Sequence, residues 1–283
     1  MPSSFDDLSR PPLDAIRLSH ALVTDSSIYH DVVVVDATGS TNDDVADLAR
    51  SGAPAGLVLV AEHQQGGKGR LGRPWQTPAR AALTFSILLR PEAPAARWPW
   101  LPLLAGIAVA EALVRAAELD AVLKWPNDVM INDRKVAGLL AERIETPTGA
   151  AVVLGIGVNV STARAELPVP EATSMLIEGA TTTDRAVILR AIGRTFGALF
   201  QAWESAGRTN GAAPEATSGL ADSYRSRCST IGRQVRVDLP SGAHVSGRCV
   251  DVDDSGHLVV ESDSGRQTFA AGDVVHVRPQ SAL

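Results

Sequence analysis

The sequence predicts an α/β fold, in which a mixed β-sheet flanked by helices is followed by a small antiparallel β-barrel. Strand-like apolar runs alternate with helical patterns as far as about residue 225. From about Ile231, short strands are separated by turns such as Asp254-Ser255-Gly256, a pattern typical of a small barrel. The 283 residues suffice for one large and one small domain. We therefore divide the chain into an N-terminal extension (1–30), a main domain (31–225) and a C-terminal domain (226–283).

The first elements are predicted from residue type and capping signals. After a possible helix at 13–23, the β-branched run 31–35 predicts a strand. Ser40 or Thr41 then begins a helix, because acidic residues occupy its first turn and Gly52 follows its end.

Three apolar runs are predicted to be buried. Residues 57–61 and 82–89 are mostly apolar over the length of a strand. The run 101–117 contains Pro102 and Glu111, and it is too short and too charged to span a membrane. We expect it to be a core helix.

The later elements include a hairpin and a second long helix. Asn132 and Asp133 are turn formers between two short apolar runs. Residues 151–158 predict a buried strand whose glycines permit close approach of a ligand or a neighbouring backbone. A helix from Asp184 to about Glu204 carries apolar residues at core spacing, and 205–219 is expected to be an exposed loop.

Composition excludes several classes of protein. The net charge of −6 argues against general nucleic-acid binding. Cys228 and Cys249 lack metal-ligand spacing, and residues 1–30 show no secretion signal. We therefore expect a cytoplasmic protein with reduced thiols and no membrane partner.

The glycine-rich segment 66–75 is the most informative about function. It packs four glycines, three cations and Trp75 into ten residues. Glycines let backbone N–H groups approach an anion, and Lys68, Arg70 and Arg73 add charge suited to phosphate. The spacing matches neither a P-loop nor a dinucleotide-binding motif. From composition alone, a basic surface loop is the alternative.

A second polar cluster surrounds the predicted hairpin. Lys124-Trp125-Pro126-Asn127-Asp128 ends one apolar run, and Arg134-Lys135-Val136-Ala137-Gly138 follows the turn. The hairpin brings Asp128 and Lys135 into one neighbourhood. An aspartate and a lysine beside a phosphate-type loop suit adenylate chemistry, whereas an isolated hairpin would more often carry solvated charges.

Taken together, the motifs resemble those of biotin–protein ligases of the monofunctional type, without an N-terminal DNA-binding domain. The matching pieces run in family order and are Ser40-Thr41-Asn42, Glu62-His63-Gln64-Gln65, the segment from Gly67 to Trp75, the two hairpin motifs and Gly155-Ile156-Gly157-Val158-Asn159. The resemblance implies a class II synthetase-like biotin/ATP-binding catalytic domain and an SH3-like C-terminal barrel. Lys68 departs from the arginine usual in this family, which keeps the charge but loses the planar bidentate fork.

The implied reaction has two steps. Biotin and ATP, with Mg²⁺, give biotinyl-5'-AMP and pyrophosphate. The biotinyl group then passes to a lysine in the biotin carboxyl carrier domain of a carboxylase. No DNA partner is expected, and both a monomer and a homodimer remain open.

The resemblance also implies a set of site residues. Those expected to bind biotin are Ser40, Thr41, Asn42, Gln64, Lys68, Gly69, Arg70, Lys135 and Gly138. Those expected to bind ATP are Arg70, Arg73, Trp75, Lys135, Asn159 and Arg233. The catalytic candidates are Lys135, which would bridge the biotin carboxylate and the α-phosphate, Arg70, which would retain the intermediate, and Asp128. Asp128 has open roles: it orients the acceptor amine, binds Mg²⁺, or ties structurally to Lys124.

Three other functions compete with this interpretation. Lipoate–protein ligases share the chemistry, but their usual Arg-Arg-x-x-Gly-Gly-Gly-x-Val-x-His-Asp loop is absent. A biotin-responsive repressor needs a winged helix-turn-helix of roughly 60 residues, and only about 30 precede the first predicted strand. A non-catalytic biotin-binding module would not require Lys135, Asn159 and the basic loop together.

Overall fold

The computed structural model describes residues 9–208, 215–239, 242–270 and 273–276. Two sheets organise these residues, one of seven strands and one of five. The elements of the larger unit are α1 (Ala15–Leu22), β1 (Asp31–Val35), α2 (Thr41–Arg50), β2 (Leu57–Ala61), β3 (Ala82–Leu89), α3 (Trp100–Ala117), β4 (Val122–Lys124), β5 (Asp128–Ile131), β6 (Arg134–Thr146), β7 (Gly149–Asn159), α4 (Arg185–Arg208) and α5 (Glu215–Arg227). The smaller unit contains β8 (Gln234–Asp238), β9 (His244–Val252), β10 (Leu258–Ser262), β11 (Gly265–Phe269) and β12 (Asp273–His276).

The seven-stranded sheet is mixed and carries helices on both faces. Its strand order is β1-β2-β3-β7-β6-β5-β4, and β1 pairs in parallel with β2, whereas the other neighbours are antiparallel. Helices α1, α3 and α4 contribute to the main core on one face. Helix α2 packs on the opposite face through Val45, Ala46 and Ala49. The predicted α/β class and the separate small antiparallel sheet are confirmed.

The predicted hairpin forms between β5 and β6. Asn132 and Asp133 have φ angles of 50° and 57°, as a two-residue type I′ turn requires. A β-bulge follows, because Val129 pairs with Ala137 while Met130 pairs with Lys135. The extra residue, Val136, reverses the alternation of side chains beyond it.

Helix α3 forms the centre of the main core, as predicted. By length and composition alone it would pass as a membrane span, with a mean hydropathy of 1.6 over 18 residues. The expectation that it is too short was therefore wrong. Its surroundings identify its role, since 72% of the helix is buried within the molecule.

The predicted loop at 205–219 is wrong at both ends. Helix α4 continues to Arg208 and α5 begins at Glu215, while residues 209–214 lie outside the described residues. Ala221 and Tyr224 of α5 are buried in the main core. Helix α5 escaped prediction because its sequence is mostly small and polar, with few apolar positions to reveal a helical period.

The C-terminal sheet, in the order β11-β10-β9-β8-β12, is docked on the larger unit by polar anchors. Trp100 Nε1 donates to Asp254 O at 2.8 Å, and Trp125 Nε1 donates to Gly256 O at 2.9 Å. Arg225 of α5 contacts Asp254 Oδ1 at 2.7 Å. Helices α3 and α5 and the turn at Trp125 therefore support the small domain.

The N-terminal segment is fastened to the main sheet. Arg10 Nη2 donates to Glu166 Oε2 at 2.7 Å, and the Leu13 N–H donates to Glu62 Oε1 at 2.6 Å. Glu62 also forms a buried ion pair with Arg185 at 2.5 Å. Ion pairs removed from water require such supporting hydrogen bonds.

Candidate active site

The site is a cleft on the sheet face that carries α2, and two adjoining cavities form it. Glycines of β6 and β7 make its floor. A Cβ atom at Gly157 would lie 2.6 Å from Trp75 Cε2, and one at Gly138 would lie 2.9 Å from Lys135 Nζ. Only glycine therefore lets these two side chains rest on the sheet.

The first cavity spans about 470 Å³, including space that is open to solvent. All nine residues predicted to bind biotin line it, namely Ser40, Thr41, Asn42, Gln64, Lys68, Gly69, Arg70, Lys135 and Gly138. Trp75 and Leu140 add an apolar wall, while Phe85, Leu139 and Ile156 border the cavity from strands of its floor, with their side chains in the core on the opposite face. A cavity with an apolar wall and a few polar groups suits a small organic ligand.

The start of α2 gives the first cavity its polar end. Ser40 occupies the N-cap position in an extended conformation, but its side chain makes no capping hydrogen bond. Thr41 donates to Gln64 Oε1 from its backbone nitrogen at 2.8 Å and from its hydroxyl at 2.9 Å. Ser40 therefore occupies the N-cap position at the predicted start of the helix, but without the side-chain hydrogen bond of a cap.

The second cavity is larger, at about 1220 Å³, and adjoins the first. Five of the six residues predicted to bind ATP line it, namely Arg70, Arg73, Trp75, Lys135 and Asn159. Asp128 lies in the same wall. The Asn159 side chain is fixed, because its Nδ2 donates to Thr173 O at 2.9 Å.

Lys135 lies where the two cavities meet. Its Nζ is 2.5 Å from Asp128 Oδ1 and 5.8 Å from the centre of the Trp75 ring. The carboxylate contact lacks hydrogen-bond geometry, so charge attraction holds the pair. The bulge at Val136 places Lys135 on the same face as Gly138, above the floor of the cleft. The ammonium is thus available to groups in both cavities.

The glycine-rich segment forms a short hairpin over the cleft. The Gly69 N–H donates to Arg73 O and the Trp75 N–H to Gly67 O, each at 2.7 Å. At its base, Lys68 Nζ lies 2.7 Å from Asp43 Oδ2 in the first turn of α2. The hydrogen bond that Lys68 donates to Asp43 raises the pKa of Lys68 above its ordinary value. Lys68 therefore links the hairpin to the helix that bears Thr41.

Arg233 is the one predicted residue that the structure does not bring to the cleft. Its Nη1 lies 2.7 Å from Asp133 Oδ1, in the turn between β5 and β6. Arg233 lines neither cavity as the described residues form them.

Four residues outside the predicted set contribute to the cleft or its support. Asn127 lines both cavities, accepts from Arg70 Nη1 at 3.4 Å and donates to Leu139 O at 2.8 Å. Its place beside Asp128 was a signal that it belongs to the site. Gly155 adds to the floor, and Ser86 and Glu142 lie behind Asn42. No local sequence motif identifies Ser86 or Glu142 as part of the site.

Asp128 is the only carboxylate among the described residues that line the two cavities. Within the described ranges, no group of three or more His, Cys, Asp or Glu side chains could hold a metal ion. Mg²⁺ often binds through one or two carboxylates plus substrate phosphates. The donor set therefore suits a metal that arrives with a nucleotide, not a site built by the protein alone.

Comparison with known proteins extends these observations to the whole chain. The model of the biotin/lipoate A/B protein ligase family matches residues 34–159, and that of the biotin protein ligase C terminal domain matches residues 230–277. The biotin–[acetyl-CoA-carboxylase] ligase of Mycobacterium tuberculosis is 41% identical over 277 residues, covering 96% of this chain and 98% of that protein. The bifunctional ligase/repressor BirA of Bacillus subtilis is 31% identical over 251 residues, covering 87% of this chain and 73% of that protein.

A solved structure gives the same result for the fold. The biotin protein ligase from Aquifex aeolicus, in complex with biotin and ATP, has a TM-score of 0.73 and 26% identity to this chain. The match covers 88% of this chain and all of that one. Because identity above 40% extends over nearly the whole length of one relative, and both domains match in order, the chain belongs to the biotin/lipoate A/B protein ligase family as a biotin protein ligase.

Proposed function

We propose that the enzyme activates biotin with Mg·ATP in this cleft and transfers it to a lysine of a biotin carboxyl carrier domain. The observation that carries the proposal is the junction of the two cavities. Candidate biotin residues line one cavity, candidate ATP residues line the other, and Arg70 and Lys135 belong to both. A carboxylate in the first cavity and an α-phosphate in the second would meet beside these two cations.

In the first step, a biotin carboxylate oxygen attacks the α-phosphorus. The bond from that phosphorus to the β-phosphate oxygen breaks, pyrophosphate leaves, and biotinyl-5'-AMP forms. Both reactants are anions, so Lys135 and Arg70 offset their repulsion and the charge of the transition state. The cleft also holds the biotin carboxylate and the α-phosphate in line for attack. This lowers the barrier further, because the two reactants no longer have to meet by free diffusion in the correct orientation.

In the second step, the amine of the acceptor lysine attacks the acyl carbonyl of biotinyl-5'-AMP. The C–O bond to AMP breaks, the attacking nitrogen releases a proton to solvent, and an amide forms. We propose that Asp128 orients this amine, since its carboxylate lies beside Lys135 at the junction. Direct metal coordination would compete with the Lys135 ion pair, so Mg²⁺ enters the proposal as Mg·ATP.

The remaining assignments concern ligand contacts and partners. Ser40, Thr41, Asn42 and Gln64 would hold the biotin ring, and Arg73, Trp75 and Asn159 would hold the nucleotide. The M. tuberculosis relative is named for acetyl-CoA carboxylase, so we propose a carboxylase carrier domain as the acceptor. The proposal includes neither DNA nor a membrane, places the enzyme in the cytoplasm, and leaves monomer and homodimer open.

Pyrophosphate release with Mg·ATP tests the proposal, comparing biotin with lipoate and octanoate. Release should require biotin, and adding an apo carrier domain should yield a protein carrying biotin in amide linkage. Release with lipoate or octanoate alone would favour the other branch of the family. No release with any of the acids would contradict the activation step.

A further inference from the structure

A polar network behind the first cavity contains two residues, Ser86 and Glu142, that have no part in the roles proposed so far. Ser86 of β3 is fully buried, and its Oγ lies 2.7 Å from Thr41 Oγ1 and 2.6 Å from Asn42 Oδ1. On the other side of Asn42, Nδ2 donates to Glu142 Oε2 at 2.5 Å. The network therefore runs from the cavity wall to a carboxylate on β6.

Glu142 determines which way the Asn42 amide faces. An ionised carboxylate can only accept hydrogen bonds, so the Asn42 atom opposite it must be the NH₂ group. Asn42 Oδ1 then faces Ser86, and this oxygen can also only accept. The single hydroxyl proton of Ser86 is consequently directed toward Asn42.

The direction of the Ser86 hydroxyl proton also affects Thr41. Because the Ser86 proton points to Asn42, it is not available to Thr41, whose own hydroxyl donates to Gln64 Oε1 at 2.9 Å. Gln64 Oε1 also receives the Thr41 backbone N–H at 2.8 Å, so this amide oxygen accepts both Thr41 protons. Hydrogen bonds therefore run from Ser86 through Asn42 to Glu142. Neither hydroxyl proton points to the cavity, which leaves Thr41 Oγ1 as an acceptor toward it.

We infer that Glu142 is a positioning residue that sets the polarity of the biotin pocket. It lies outside the lining of both cavities and acts through Asn42. An acceptor at Thr41 suits the N–H groups of a cyclic urea, which biotin carries and the dithiolane ring of lipoate lacks. The inference rests on the proposed function and adds to it a source of selectivity for the ligand.

Glu142→Gln tests the inference, because an amide can present either a donor or an acceptor to Asn42. With the orientation of Asn42 no longer fixed, the Kd for biotin measured by calorimetry should rise about tenfold. The Kd for ATP and the thermal unfolding midpoint should stay unchanged. Glu145→Gln is the matched control, since Glu145 lies on the same strand with its side chain 72% exposed and paired with Arg143 at 2.7 Å.

A second variant tests whether the effect of Glu142 on the pocket passes through Ser86. If Glu142 acts through Ser86, the effects of Glu142→Gln and Ser86→Ala on biotin affinity should not add. Equal biotin affinity in Glu142→Gln and the wild type would overturn the inference, as would a parallel loss of ATP affinity. Failure of the wild-type chain to bind biotin would instead overturn the proposed function together with the inference.

Discussion

Lys135 owes its position to one irregularity in the sheet. Without the bulge at Val136, residues 135 and 138 would project from opposite faces of β6. The extra residue brings Lys135 onto the face of Gly138, within 2.5 Å of Asp128. Bulges recur beside active sites because they aim a side chain that regular pairing would misplace.

Lys135→Ala should slow biotin-dependent pyrophosphate release by roughly 10²- to 10³-fold, because it removes a cation from the point where two anions meet. Lys135→Arg retains the positive charge, so the rate of pyrophosphate release should fall by a smaller factor. Arg143→Ala removes a cation from the same strand outside both cavities, and it should leave the rate unchanged. Steady-state kinetics with saturating biotin and ATP would measure these effects. A Lys135→Ala rate within a few-fold of wild type would contradict the assigned role.

At the residue scale, the sequence predicts the residues that line the cleft better than those behind it. Fourteen positions were singled out for the cleft, and Arg233 alone lines neither cavity within the described chain. The rest follow motifs whose members are close in sequence. Ser86 and Glu142 belong to strands distant from Asn42 in the chain, so only the packed sheet shows that they meet.

At the scale of elements, the hairpin from Gly67 to Trp75 is held together by its own backbone hydrogen bonds and is exposed to solvent at its tip. Two backbone hydrogen bonds close it, yet Leu71 at its tip is 66% exposed and has a left-handed φ of 55°. Elements with few buried contacts open most readily. The Lys68–Asp43 pair at its base resists opening across neutral pH. Because Asp43 raises the pKa of Lys68, this contact is present below the ordinary lysine pKa and is lost only at strongly alkaline pH.

We predict that biotin and ATP together order this hairpin. Amide hydrogen exchange of residues 68–75 should slow by at least about tenfold when both ligands are added. Asp43→Asn should speed exchange in the free enzyme, since it weakens the pair with Lys68 without altering a cavity residue. Equal exchange with and without ligands would remove the idea that the hairpin closes over them.

The strand predictions succeeded where apolar runs are buried on both faces of the central sheet. The runs at 31–35, 57–61 and 82–89 became β1, β2 and β3 with the expected bounds. Helix α5 was missed because its burial depends on a few residues packed against α3, not on a continuous apolar face. The bulge at Val136 was also missed. The sequence of β6 alone does not reveal it, because the register depends on how β6 pairs with β5.

At the scale of the whole molecule, the region between the two sheets contains buried side chains that can lose a proton, namely two thiols and a phenol. Cys228 and Cys249 are both buried free thiols, and burial raises the pKa of Cys249 to about 12. Burial likewise raises the pKa values of Cys228 and Tyr224. Each group keeps its proton in the folded protein at a pH where the unfolded chain has lost it.

Stability should therefore fall in alkaline solution. Above about pH 8.5, where an unfolded cysteine titrates, the unfolded chain binds fewer protons than the folded one, so each of the two buried thiols lowers the unfolding free energy by about 1.4 kcal/mol per pH unit. Tyr224 adds to this fall only above about pH 10, where an unfolded tyrosine titrates. For Cys249 this loss continues until the folded pKa is reached. Urea unfolding between pH 7 and 10 would measure it, and Cys249→Ser should reduce the slope. Identical slopes in the variant and the wild type would contradict this account.

The place of β7 links assembly of the fold to assembly of the cleft. Strands β1 to β3 pair with one another early in the chain, and β4 to β6 pair in the next section, but the two groups meet only through β7. Until β7 is inserted, the sheet is two separate halves, and the floor at Gly155 and Gly157 does not exist. Non-local pairing of this kind carries the cost of loop closure and slows folding. A growing polypeptide thus acquires its binding site at the same moment as its completed sheet, and no shorter fragment ending before Gly149 contains either one.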